Sequence, residues 1–575
     1  MIRRLIFLGH SELYGVPKGL CEAERLIASY PLYNAIGCLS RMELILIDPT
    51  FEVTTNLIEN QKDICRRTCS LEQLKVIEKV AEETRIREKT DIILFHRPQL
   101  TSAMKLAFLN CPEEGKPPEY LHNLAEALFI INDRIGPTPQ DKPTEYHLWV
   151  KQSQFVSSEV NLLYYLARWC TLAKKIETKQ KQTQLGLEKR FKSKYGTDLT
   201  SFLTMGIDFY MQWVVLRPRQ DIDNGIISIG VPQLENRSKL DKVEFDKSLQ
   251  EFCQPPEFFK KSIRKEAELK DPYKNVTFLK KPLVRFENNI ICLGKHFLTM
   301  KIGSGFYWLL VELYERGREN KSRREIMKLF GEAFSEYTMG ILKRIYGNRT
   351  NCPLIDVDKI DNFQNKQAKR KADALIICGD SLIVVEFKSS LFPVKLLSSN
   401  KVDDFHEWER EHLLEDGTKQ IYSLIIQLIK SEIPKLNVAQ RVKKYYPLII
   451  TLQQLPTAVP TYISHFEKEA ETLKNRELES ADVRLNGIRI EPINLMSVSE
   501  LEQIEAIFVT PGCQENLKDI IDRKNQKDRY SNWLPFLQEY FNKYNTPVNT
   551  HLINSLKEFV HEGLEQIFPP KETSK

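Results

Sequence analysis

Residues 373–388 constrain the fold of this chain more tightly than any other stretch. Asp373-Ala-Leu-Ile-Ile-Cys378 and Ser381-Leu-Ile-Val-Val-Glu-Phe-Lys388 are two β-branched, apolar runs, and Gly379-Asp380 lies between them. Two residues beginning with glycine, flanked by such runs, form a hairpin turn. Closing the chain about that turn sets Asp373 across from Glu386 and Lys371 across from Lys388. Directly opposed side chains share a face, with Cβ atoms about 4.5–5.5 Å apart. Lys388 lies two residues beyond Glu386 and so points the same way. Two carboxylates opposed in this manner repel each other. A hard divalent cation held between them, its shell completed by water, relieves the repulsion. The other reading makes Asp373 and Glu386 surface charges of an ordinary hairpin. Both strands are apolar on both faces, however, which implies a sheet covered on both sides. Unpaired acids in such a place are costly.

An aspartate at the start of a strand, a hairpin, then Glu-x-Lys on the next strand resembles the pattern of the PD-(D/E)XK nuclease superfamily, the restriction-endonuclease-like fold. Here the pattern is Asp373 and Glu386-Phe387-Lys388, with twelve residues between the acids. Ala372 stands where that family has proline. The resemblance covers residues 320–510 and implies a mixed sheet flanked by helices. It also implies that Asp373, Glu386 and the backbone carbonyl of Phe387 ligate a metal ion, and that Lys388 acts beside the scissile phosphate. Gln420, on the apolar helix that follows, corresponds to a glutamine that some of these nucleases carry near the metal. It shares a helix face with Gln427. An oxygen-rich ligand set suits Mg²⁺ or Mn²⁺ better than Zn²⁺. The family often adds a glutamate from its first helix. Glu332 and Glu336 are available for that role, but both fall opposite the apolar stripe of Phe334 and Ile341, where a solvated face is an equal expectation.

The chain of 575 residues is too long for one ordinary core, and its net charge of +6 is small for that length. That balance does not require nucleic acid, but it permits a locally basic groove. The eleven cysteines are scattered and odd in number. That pattern argues against a disulfide framework and for a reducing, cytoplasmic setting. Cys65 and Cys69 are expected as buried thiols rather than metal ligands. The apolar run near the N-terminus is too short for a signal peptide, and no stretch reaches the length of a membrane span.

Four regions follow from the patterning. Residues 1–233 read as a mainly helical domain. Within it Tyr120–Asp133 is a buried helix stopped at Arg134-Ile-Gly-Pro137, and Val160–Tyr195 a long helical pattern whose second half is basic. Residues 234–280, polar and containing Pro255-Pro256, read as a connecting segment. Residues 281–515 form the nuclease-like domain and 516–575 a helical tail that packs back on the N-terminal body. The basic residues between Lys174 and Lys194 are either a solvated helix face or an arm contacting a phosphate backbone. Lys366, Lys369, Arg370 and Lys371, with Lys343, Arg344 and Arg349, form either a phosphate track or solubilising charge. Residues 403–412 hold two histidines and several acids. The composition is that of a metal-rich box, but mixed charge ahead of a helix is the expected reading.

The function expected on these grounds is metal-dependent phosphodiester hydrolysis, with DNA as the expected substrate. The helical N-terminal half would select substrate or partner. RNA cleavage is open to the same chemistry, and a catalytically silent nucleic-acid-binding or scaffold protein is the alternative. A protein partner or a homodimer fits the large helical half, and no membrane association is expected. The chain holds no phosphate-binding loop, helicase motif or zinc-finger spacing, so any motor would belong to another chain.

Overall fold

The structure is a computed structural model that describes residues 5–46, 54–88, 91–135, 162–183, 185–215, 226–266, 268–271, 274–314, 320–347, 349–360, 372–393, 396, 402–431, 441–455, 460–528, 533–544 and 549–567. Among these residues the strands fall into three sheets set in a helical majority. The fold is α/β with helix predominating.

In the N-terminal region β1 (Leu5–Phe7) and β2 (Asp91–Ile93) pair in parallel beside the helices Leu20–Ile27, Leu32–Ile45, Arg97–Asn110 and His122–Ile135. The last of these answers the helix expected over Tyr120–Asp133. The long helical pattern over Val160–Tyr195 is divided. Helices Leu162–Gln180 and Leu187–Tyr195 meet at Gly186, whose φ of 58° is a left-handed conformation that glycine adopts without a Cβ clash.

The segment 234–280 corrects the expectation of a connector. It carries helices Lys242–Phe252 and Pro256–Lys265, and Phe245, Leu249, Phe252, Phe259 and Ile263 are buried. Its strand β4 (Cys253–Gln254) joins β3 (Ile229–Gly230), β5 (Leu283–Phe286) and β6 (Asn289–Cys292) in the order β3-β6-β5-β4. The polar residues that suggested a linker lie on the outer faces of amphipathic helices. A segment average hides that segregation, whereas a 3.6-residue period reveals it.

The third sheet contains β7 (Leu354–Asp356), β8 (Ala374–Cys378), β9 (Ser381–Lys388), β10 (Lys444–Thr451), β11 (Arg489–Ile490) and β12 (Asn494–Ser497). Its order is β11-β10-β9-β8-β7, with β12 also on β10. β7, β8 and β9 run antiparallel, while β10 runs parallel to β9 and to β11 and β12. β11 and β12 are two short strands that follow one another along the same edge of β10. Pro447 explains how β10 tolerates the break. β11 pairs with Lys444 and Tyr445, and β12 pairs with Leu448–Thr451. The residue without an N–H therefore falls where neither short strand needs a donor.

Hydrophobic cores cover both faces of this sheet. One face, with Ile376, Ile383, Val385 and Phe387, belongs to a core that runs from Leu8 through the N-terminal helices to Phe559. The other face, with Leu375, Leu382, Val384 and Ile449, is covered by residues of helices Val402–Glu409, Lys419–Ile429 and Pro460–Ser480. The C-terminal helices pack back as expected, and the Trp533 indole donates to the Leu495 carbonyl at 2.7 Å. The N-terminal helices and the sheet region thus share one continuous core.

Candidate active site

The hairpin forms in the expected register. Ala374 pairs with Val385 and Cys378 with Ser381, which leaves Gly379-Asp380 as the turn. Gly379 has φ 63°, the positive value that a glycine-first hairpin turn requires. Asp373 lies just before β8, and its amide donates to the Val385 carbonyl at 2.9 Å. Its carboxylate Oδ2 accepts from the Phe387 amide at 2.7 Å. Within a strand the N–H and C=O of one residue address the same neighbour. The Phe387 carbonyl therefore lies on the same side of β9 as its amide, the side of Asp373.

Glu386 and Lys388 continue the alternation of Leu382 and Val384 and so share one face of the sheet, and Asp373, just before β8, adds its charge at Glu386. Glu386 is buried at 4% exposure, opposite Ile449 of β10. The Lys388 ammonium is 3.0 Å from Glu386 Oε1 and donates to Gln420 Oε1 at 3.0 Å. Gln420 is brought there by helix Lys419–Ile429, which packs over this face. Asp373, Glu386, Lys388 and Gln420 are thus brought together, and Phe387 supplies backbone to the same corner.

The electrostatics of this corner are unfavourable as it stands. Burial pushes the Asp373 carboxyl up to about 6, against the pull of the Phe387 amide and Lys388. Burial, then the nearby Asp373, holds Glu386 well above the ordinary carboxylate range. Lys388 compensates only in part. Glu386 Oε2 is buried and has no hydrogen-bond partner. A buried carboxylate oxygen left without a donor is costly, and an ion fits that vacancy in bonding better than a neutral side chain does. The donor set, two carboxylates and one carbonyl, is all oxygen and suits a hard cation.

No protein-family model matches this chain, and no curated protein matches it. What can be said of the site therefore rests on its own geometry.

Several expected contributors lie elsewhere. Helix Asn320–Tyr346 buries Phe330, Phe334 and Ile341 in the core on the opposite face of the sheet from Glu386. Its Glu332 pairs with Lys328 at 3.7 Å, and Glu336 pairs with Lys175 and with Lys179 at 3.2 Å. Neither glutamate joins the site. The basic residues expected as a phosphate track are engaged in structure. Lys343 pairs with Asp356 at 3.2 Å, Arg344 with Glu505, and Arg349 donates to the carbonyls of Glu515 and, at 3.1 Å, Phe508. Lys366, Lys369, Arg370 and Lys371 lie outside the described residues. In the segment from Lys174 to Lys194, Lys174 meets Glu562 at 2.6 Å and Lys192 meets Glu244 at 3.2 Å. Gln427 is half-buried on the helix of Gln420.

Two residues of the corner escaped the sequence reading. Asp358, on a short 3₁₀ turn after β7, adds its charge to the repulsion at Asp373. Gly417 lies in a π-helical stretch, Arg410–Thr418, that leads into the Gln420 helix. A Cβ at Gly417 would lie 3.0 Å from Lys388 Cε and 3.2 Å from Ile449 Cδ1. Only glycine leaves the lysine stem this space. A glycine so near an apolar helix was the available signal, since π-helical turns occur often at functional sites.

Proposed function

We propose that the protein is a metal-dependent nuclease, a hydrolase of phosphodiester bonds with DNA as its substrate, built on a restriction-endonuclease-like arrangement. The order of elements supports that fold reading: a long helix, β7, the β8-β9 hairpin, a covering helix, then β10 parallel to β9. The observation that carries the function is the convergence of Asp373, Glu386 and Lys388 around the unpartnered Glu386 Oε2. Asp373, Glu386 and the Phe387 carbonyl would hold Mg²⁺ or Mn²⁺. Such an ion neutralises the two carboxylates, lowers the pKa of water and polarises a phosphoryl oxygen.

The residues of this chain do the rest. Gln420 and Glu386 hold the Lys388 ammonium from two sides, so its charge is positioned before substrate arrives. An ammonium set where negative charge develops on the phosphate stabilises the transition state by about 3–4 kcal/mol. The apolar residues behind Glu386, including Ile449 and Val384, exclude water from that side and strengthen each interaction at the site.

The helical N-terminal half is proposed to select substrate or partner while completing the core beneath the sheet. The protein is assigned to the cytoplasm, where eleven free cysteines stay reduced. Among the described residues no helix is long and apolar enough to cross a membrane. The test is a Mg²⁺-dependent cleavage assay on single- and double-stranded DNA and RNA, with Lys388→Ala as control. Cleavage of DNA that needs both the cation and Lys388 is expected. Cleavage of RNA alone would move the substrate class, and tight binding without cleavage of any substrate would make this a silent binding module.

A further inference from the structure

Outside this corner, a second group of ligand-type side chains converges. Helix Val402–Glu409 carries His406 and Glu409 one turn apart, and helix Pro460–Ser480 carries His465. Phe405 and Tyr462 meet edge-on with ring centroids 6.0 Å apart, which holds the two helices against each other. That packing brings the His406 and His465 rings to 4.6 Å, also edge-on. One ligand atom from each of His406, Glu409 and His465 lies within 4.8 Å of the other two. His406 Nδ1 is 3.7 Å from Glu409 Oε2.

Glu409 makes the cluster more than a surface coincidence. Its side chain is 1% exposed, and its second oxygen, Oε1, has no hydrogen-bond partner. A carboxylate buried beside two imidazoles, with one oxygen unserved, is in the condition of a ligand without its ion. We propose that His406, Glu409 and His465 form a zinc-type metal site distinct from the carboxylate pair at Asp373 and Glu386.

Two imidazoles and one carboxylate are the donors of a borderline transition ion rather than of Mg²⁺. Tetrahedral Zn²⁺ with bonds of about 2.0–2.1 Å sets its ligand atoms about 3.4 Å apart. The His406–Glu409 separation is already close to that. His465 is exposed and can rotate to close the remainder. Water takes the fourth position. The site would clip helix 460–480 to helix 402–409. The π-helical stretch that starts immediately after Glu409 carries Gly417 to Lys388 and leads to Gln420. The clip therefore fixes the root of the element that orients the lysine. His412, the other histidine of this stretch, stacks on Trp408 and contacts its carbonyl at 2.9 Å, outside the cluster.

Co²⁺ serves as the probe because its visible absorption reports a four-coordinate nitrogen and oxygen environment. The full chain should take up Co²⁺ with that absorption, and Zn²⁺ should displace it at one equivalent. Losing an outer partner of a ligand already costs about 10–100-fold in metal affinity, so His465→Ala and His406→Ala should each weaken Zn²⁺ binding by at least about a hundredfold. His465 is exposed, so its replacement leaves the fold intact. Asp373→Ala should keep the absorption unchanged. The proposal fails if the full chain shows no such absorption, if His465→Ala retains it, or if Asp373→Ala removes it. Loss of nuclease activity in Asp373→Ala with the absorption preserved would separate the two sites.

Discussion

Arg168 grips Glu502 through two hydrogen bonds, Nε to Oε1 at 2.7 Å and Nη2 to Oε2 at 2.6 Å, and both side chains are at most 1% exposed. Arg168 belongs to the N-terminal helix Leu162–Gln180, and Glu502 to the helix that leaves the last strand of the six-stranded sheet. The Tyr337 hydroxyl donates to Glu502 Oε1 at 2.6 Å. The pair rivets the N-terminal half to the sheet. Removing one partner of such a pair strands a buried charge, so Arg168→Met should lower stability by about 3–5 kcal/mol in urea unfolding. A chain that begins at residue 281 should fail to unfold cooperatively, because it lacks half of the shared core. A normal transition in either protein would show that the two halves are independent.

Lys388→Ala should lower the cleavage rate by about a hundredfold or more while substrate affinity holds. Single-turnover kinetics and a binding titration measure the two effects separately. A variant cutting at near the normal rate would remove Lys388 from the mechanism.

Gln420 Oε1 accepts from the Lys388 ammonium at 3.0 Å, beside its contact with Glu386. A hydrogen bond to a charged group is worth about 1.5–3 kcal/mol, so Gln420→Ala should slow cleavage by about tenfold or more. The loss should appear in kcat with KM unchanged. A change in KM alone would place Gln420 in substrate binding instead.

Gly417→Ala puts a methyl group against the Lys388 stem. The stem is flexible and will give way, carrying the ammonium off its position between Glu386 and Gln420. Cleavage should fall, and Mn²⁺ binding measured by calorimetry should remain as in the unaltered protein. Equal activity would show that the lysine tolerates the displacement.

The carboxylate pair sets a pH dependence. Asp373 titrates near 6 in the folded chain against an ordinary value of 3.8, and Glu386 is raised as well. Across that window the folded state binds more protons than the unfolded state, so stability falls as pH rises through it. In the proposed site a cation would take the place of the lost protons. Mg²⁺ or Mn²⁺ should therefore raise the melting temperature clearly at about pH 7.5 and much less at about pH 5. Glu386→Gln should abolish most of that difference. An equal shift at both pH values would place the stabilising ion elsewhere.

The local order of the polypeptide was enough to determine the hairpin. Its turn residues, its apolar runs and the shared face of Glu386 and Lys388 all follow from residues close together in the chain, where spacing dictates register. The positions of most helices follow for the same reason. What joins distant segments had no local signature. The chain does not announce that the segment 234–280 is packed, because its apolar residues lie at helical intervals among many charges. Nor does it announce that Glu336 is taken by Lys175 and Lys179, or that Arg344 is taken by Glu505. Charge on a helix face looks the same whether its partner is water, phosphate or another helix. Only the tertiary fold decides, because only it fixes which surfaces face each other. The same holds for His406, Glu409 and His465: two lie one turn apart on a helix, and the third comes from a distant helix whose Tyr462 packs on Phe405.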